Sequence, residues 1–141
     1  MIATGVFAGE HPPLSHDKFS APAQLYVMNC WGCHQPHGEG IAGAVPRLKD
    51  TVGYFLQVPG GREYLIEVPG VAGSSLSNAQ VAQVMNWMLS AFSSDQLPTD
   101  FKPYTEAEVA KYRPHQLNNI GVVRARLASQ LAAQGIKIPS D

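Results

Sequence analysis

No stretch of the chain approaches the roughly 20 apolar residues that a helix needs to cross a bilayer, so no membrane-spanning helix is expected. Charge is sparse too: 15% of the 141 residues are Asp, Glu, Lys or Arg, and the formal net charge is −1. Without a basic excess nothing competes for phosphates, and nucleic acid drops out as a partner. The first residues, "MIATGVFAGEHPPLSHDK", hold neither a basic n-region nor an apolar h-region, so no signal peptide is expected in them. Strand signals are weak throughout and there is no internal repeat. Cysteine is scarcest in chemical terms. Cys30 and Cys33 are the only two, and a disulfide between them would close too small a loop to contribute much.

What remains is an ordinary globular composition, 45% hydrophobic, of a length that suits one core. Residues 1–18 read as an irregular arm with Gly5, Gly9, Pro12 and Pro13. Ser20 can cap a helix with Pro22 in its first turn, running through Leu25, Tyr26 and Met28 to Trp31. The stretch 35–75 is rich in glycine and proline and predicts mostly loop, with one helix around Leu48 to Leu56. A loop of that length needs an organiser other than secondary structure, and a large buried group would serve. In "SNAQVAQVMNWMLSAF", Ser77 stands at an N-cap, and Val81, Val84, Met85, Met88, Leu89 and Phe92 form one apolar stripe. "SSDQLPTDFKPY" is a linker. Thr105 and Glu108 predict a capping box on a helix that stops before Pro114. A last helix, Asn118 to Gln134, carries Ile120, Val123, Leu127 and Leu131 on one face, with Gly135 behind it. The class is mainly α.

The chemistry is concentrated in "NCWGCHQPHGEG", residues 29–40. C-x-x-C-H, here Cys30 to His34, is a haem-attachment signature. Two thiols at that spacing reach the two vinyl groups on one porphyrin edge, and the adjacent imidazole falls beneath the iron. Three rivals fit less well. A thioredoxin-type C-x-x-C needs a βαβ context. The single disulfide adds little. Zinc held by Cys30, Cys33, His34 and His37 would draw all its ligands from eight residues, without the usual spacer.

The chain resembles a class I cytochrome c over residues 20–92. The resemblance rests on the helix before the motif, the motif itself, the glycine-rich "HGEGIAGAVPRL" and the closing helix with Trp87. It implies a fold of helices packed around one covalently bound haem c, with thioethers to Cys30 and Cys33 and His34 as proximal ligand. It also implies that the Pro46 carbonyl orients the His34 ring, a contact that raises ligand basicity. The implied division is an arm (1–18), a haem domain (19–93) and a linker with a C-terminal helical extension (94–141). Because haem of this type is attached outside the cytoplasm, the resemblance implies a mature periplasmic chain.

The distal side departs from the family. Where a Met-Pro element is usual, this chain has Val68-Pro69 in "YLIEVPGVAGSSLS". Valine cannot ligate iron. Met88 and Met85 on the closing helix come first as substitutes, although both also suit core filling. An open or water-bound site comes next, then a histidine: His115 in the extension, or His11 or His16 in the arm. Met28 is too close to Cys30 to reach the far face, and His37 belongs to the proximal turn. Arg47 and Arg62 are candidate partners for the propionates. Tyr54, Phe55 and Tyr64 are candidates for lining the crevice, and Arg124 and Arg126 read as a solvated face.

The expected function is a carrier of single electrons between periplasmic redox partners, a dehydrogenase or an oxidase, with one dedicated dehydrogenase as a special case. The alternative is a haem protein whose open distal site binds CO, NO or peroxide. A third reading has a partner chain supply the distal ligand. A peroxidase ranks lowest, because no distal base and cation pair is recognisable. The apolar stripe of the last helix must be covered by the haem domain, by a partner or by a second copy in a homodimer.

Overall fold

The computed structural model describes residues 21–139. The Ser20 cap, His11 and His16 lie outside them. Among the described residues seven α-helices follow in chain order: α1 (Ala21–Asn29), α2 (Trp31–His34), α3 (Gly61–Glu67), α4 (Pro69–Ala72), α5 (Asn78–Ser93), α6 (Glu106–Tyr112) and α7 (Ile120–Ala133). Three 3-10 turns, Val52–Gln57, Ser94–Gln96 and Arg113–His115, join them. Among the described residues the only extended pairing is a single bridge between Ile41 and Val45. No helix among them is long and apolar enough to cross a membrane.

The longest helix is the one whose sequence signals are strongest. Ser77 Oγ accepts from the Gln80 N–H, and the Gln80 side chain accepts from the Ser77 N–H, so both halves of the capping box form. The expected stripe faces inward, with Val81, Val84, Met85, Met88 and Leu89 all buried. Helix α1 packs across α5 through an aromatic cluster. The Tyr26 ring lies 5.5 Å from Trp87 and 5.0 Å from Phe92, the latter edge-on. That is the favoured geometry for ring pairs.

Between residues 35 and 75 the chain is more helical than its composition predicts. The helix expected near Leu48 to Leu56 is a 3-10 turn placed slightly later, and α3 and α4 have no counterpart in the sequence reading. Both are too short to be stable alone. Burial of Tyr64, Leu65 and Ile66 holds α3, and Pro69 opens α4 at a position where its missing N–H costs nothing.

Residues 94–139 are built into the same core. Val109, Leu127 and Leu131 are fully buried and join the cluster that contains Ile66 and Leu89. Asn86 on α5 grips the Tyr104 backbone twice, accepting from its N–H at 2.7 Å and donating to its carbonyl at 2.9 Å. Thr105 caps α6 through the Glu108 N–H, while the Glu108 carboxylate turns to Arg62 instead of closing a capping box. Gly135, at φ +80°, ends α7 in a Schellman turn, with the Gly135 and Ile136 N–H groups donating back to Ala132 and Leu131. The stripe on α7 that needed a cover is covered by its own chain through Leu127 and Leu131.

Candidate haem site

The motif is carried by the continuation of α1. The Cys30 N–H donates to Tyr26 at 2.8 Å and the His34 N–H donates to Cys30 at 2.9 Å, so both thiols and the imidazole ride on one helical turn. The Tyr26 hydroxyl donates to the Gln35 carbonyl at 2.7 Å and ties α1 to the far end of that turn. Loop 40–46 then folds back. The Gly40 N–H donates to the His34 carbonyl, and a β-carbon on Gly40 would stand 2.5 Å from the Val45 carbonyl oxygen. The close approach needs glycine at that position. It brings the Pro46 carbonyl 3.0 Å from His34 Nδ1. A carbonyl only accepts, so Nδ1 carries the proton and Nε2 carries the lone pair that a metal requires.

Beside this turn lies a mainly apolar cavity of about 360 Å³. Cys30, Cys33, His34 and Pro46 form one side, and the 3-10 turn supplies Val52 and Phe55. That turn is anchored to the end of α5, where the Gly53 N–H donates to Ser93 Oγ at 2.9 Å. Helix α5 contributes Val81, Val84, Met85 and Met88. A further wall comes from Val68 to Val71, Ser74 and Leu76. Cys33 is exposed and Cys30 half-buried, and neither is in a disulfide. Burial, with the neighbouring Cys33 adding to it, pushes the Cys30 thiol up to about 11. As a free thiol it is therefore protonated at neutral pH.

Of the other residues singled out above, Met85, Met88, Phe55, Tyr64 and Arg47 line the cavity. Arg47 also donates to the Lys49 carbonyl and lies 3.7 Å from Asp50. Arg62 is placed elsewhere. It pairs with Glu108 at 2.5 Å, and its guanidinium stacks over Tyr104 at 4.2 Å, away from the cavity lining. That side chain is committed to holding α6 against α3. His115 and His37 are exposed and do not line the cavity. No group of three or more His, Cys, Asp or Glu is close enough to hold a metal ion among the described residues, so the four zinc candidates do not converge.

Among the lining residues that the sequence reading did not place there are Ile120 and Arg124 of α7, the latter expected on a solvated face. Arg124 lies four residues after Ile120 and three before Leu127, on the same face, and stacks on the Phe55 ring at 5.2 Å. The phase of the stripe is the signal that places it inward.

The donor set suits haem: two thiols on one edge, an imidazole lone pair over an apolar slot, and two guanidiniums at the lining. Residues 20–58 match the cytochrome c family model. The chain is also 34% identical over 122 residues to cytochrome c-552 of Thermus thermophilus, covering 74% of this chain and 92% of that protein. A cytochrome c-552 from a named strain of the same organism is again 34% identical, with 82% of its length covered. The chain belongs to the cytochrome c family. A cytochrome of this family binds haem c covalently and transfers electrons to and from redox partners. The iron supplies a one-electron Fe(III)/Fe(II) couple, while the protein sets its potential through ligation, burial and hydrogen bonds. In this cytochrome the Pro46 carbonyl fixes the His34 ring and its tautomer, and Val52, Phe55, Val81 and Val84 keep water from the slot.

Proposed function

We propose that this cytochrome is a six-coordinate, mono-haem carrier of single electrons between periplasmic redox partners. Cys30 and Cys33 form the two thioethers, His34 is the proximal ligand, and Met88 or Met85 closes the distal side. The observation that carries this reading is the pair of methionine side chains buried on α5 within the lining of the same cavity as His34. Arg47 and Arg124 are the partners proposed for the propionates, since a guanidinium matches a carboxylate in charge and geometry. Covalent attachment outside the cytoplasm supports a periplasmic location. A dedicated dehydrogenase as electron donor is the finer form of the proposal.

A second reading is favoured by the wall that directly precedes α5 in the chain. Val68, Pro69 and Val71 bring no sulfur and no imidazole to the cavity, which would leave a distal site open to a small ligand.

One experiment separates the two. Addition of CO to the reduced protein should leave the Soret band unchanged over minutes, and either Met88→Leu or Met85→Leu should make it shift at once. An immediate, full shift in the unsubstituted protein sinks the carrier reading and supports the open site.

A further inference from the structure

One wall of the haem cavity is poor in packing material. From Pro69 to Ser77 the sequence "PGVAGSSLS" offers two glycines, one alanine and three serines, yet Pro69, Gly70, Val71, Ser74 and Leu76 must hold the cavity's shape. Such a segment has little side-chain bulk to fix it and much backbone freedom to lose. Three of its carbonyl groups, those of Ala72, Ser74 and Leu76, are satisfied from outside, by a single side chain of the C-terminal extension. Arg113 Nε donates to the Ala72 carbonyl at 3.0 Å, Nη1 to the Leu76 carbonyl at 2.5 Å, and Nη2 to the Ser74 carbonyl. The same guanidinium donates to Asn78 Oδ1 at 3.1 Å and to Ser74 Oγ at 3.3 Å. All three of its nitrogens are used, on acceptors that run from Ala72 to Asn78. Leu117, four residues on, adds a second stitch by donating its N–H to the Glu67 carbonyl at 2.9 Å.

We propose that Arg113 is the positioning residue that holds this wall closed, and that it thereby sets how fast a small exogenous ligand reaches the haem. The geometry requires arginine. A planar guanidinium presents five N–H donors in a fixed fork, whereas a lysine ammonium can satisfy only part of the same array from one point. Half-buried carbonyls that lose this donor must be satisfied by water instead, and water does not tie the wall to the extension. The assignment goes beyond the carrier reading and holds whichever group is the distal ligand.

The test is the rate of imidazole binding to the oxidised holoprotein, with Arg113→Gln, Arg113→Lys and Thr105→Ala measured beside the unsubstituted protein. Thr105→Ala removes the cap of α6 and lowers stability without touching the wall. We expect Arg113→Gln to bind imidazole at least tenfold faster, Arg113→Lys to fall between, and Thr105→Ala to match the unsubstituted rate. Amide hydrogen exchange over residues 70–77 should rise in the same order. An Arg113→Gln rate within twofold of the unsubstituted protein overturns the proposal, and so does an equal acceleration by Thr105→Ala. If Arg113→Gln does not fold, unchanged exchange over 70–77 in Arg113→Lys overturns it. The carrier reading is judged separately, on the CO response of the unsubstituted protein, so either can fail alone.

Discussion

Gly61 has no room for a β-carbon: an ideal one would stand 1.6 Å from the Phe55 carbonyl oxygen. The contact joins the start of α3 to the 3-10 turn that carries Phe55 into the haem cavity. Because the obstacle is backbone, no rotamer change relieves it. Gly61→Ala should destabilise the protein by about 3 kcal/mol or more, at the upper end of overpacking costs, measured by guanidinium unfolding. Glu67, at the end of the same helix, makes a pH prediction. Burial raises its carboxyl above the ordinary range, with His115 offsetting this in part. A raised carboxyl pKa in the folded state means that the charged form is disfavoured there. The stability it contributes is present below its unfolded value of about 4.3 and is lost as pH rises through the folded value. Glu67→Gln should therefore be more stable than the unsubstituted protein at pH 7, and the gap should close as both are titrated to pH 4. A gap that widens toward acid would reverse the sign. At this scale the sequence is most readable where chemistry fixes spacing. Cys30, Cys33 and His34 lie on one helical turn, as the C-x-x-C-H spacing announces. Arginines are least readable. Arg62 reads as a propionate partner and Arg124 as a solvated face, and the packing of α6 and α7 turns the first to Glu108 and brings the second to the cavity.

Helices α3, α4 and α5 separate what local sequence decides from what the fold decides. Helix α5 is signalled twice, by its stripe and by Ser77 at its N-cap, where the structure forms a full capping box with Gln80. Ser77→Ala removes the acceptor for the Gln80 N–H, and about 1 kcal/mol of stability should go with it, read from thermal or denaturant unfolding. No change would mean that water replaces the cap without loss. Helices α3 and α4 carry no comparable signal. Seven and four residues cannot show a period, and no side chain caps either one. Their stability comes from contacts distant in sequence: Phe55 against Tyr64 at 5.2 Å, and the Arg113 guanidinium on the turn after α4. Neither contact can be read from the helices' own residues. For that reason the stretch 35–75 reads as loop until the partners are known.

At the scale of the whole molecule, the extension and the haem domain share one core. The apolar stripe of α7 is legible from its spacing, but its target is not, since a stripe says only that something covers it. Leu127 and Leu131 are fully buried in the cluster that holds Ile66, Phe55 and Leu89, and the same helix delivers Ile120 and Arg124 to the cavity lining. If the two regions were independent, α7 would melt first and the haem spectrum would outlast part of the helix signal. A shared core predicts otherwise, because removing buried volume on either side leaves the same cluster with a void. Leu127→Ala in α7 and Ile66→Ala in α3 should each cost about 2–5 kcal/mol. In both variants, Soret absorbance and far-ultraviolet ellipticity should be lost in one coincident transition. A two-step melt of Leu127→Ala, with helix lost before the haem environment changes, would show that the haem pocket stands without α7. Coincidence would mean that the C-terminal third of the chain closes the pocket as an integral wall of it.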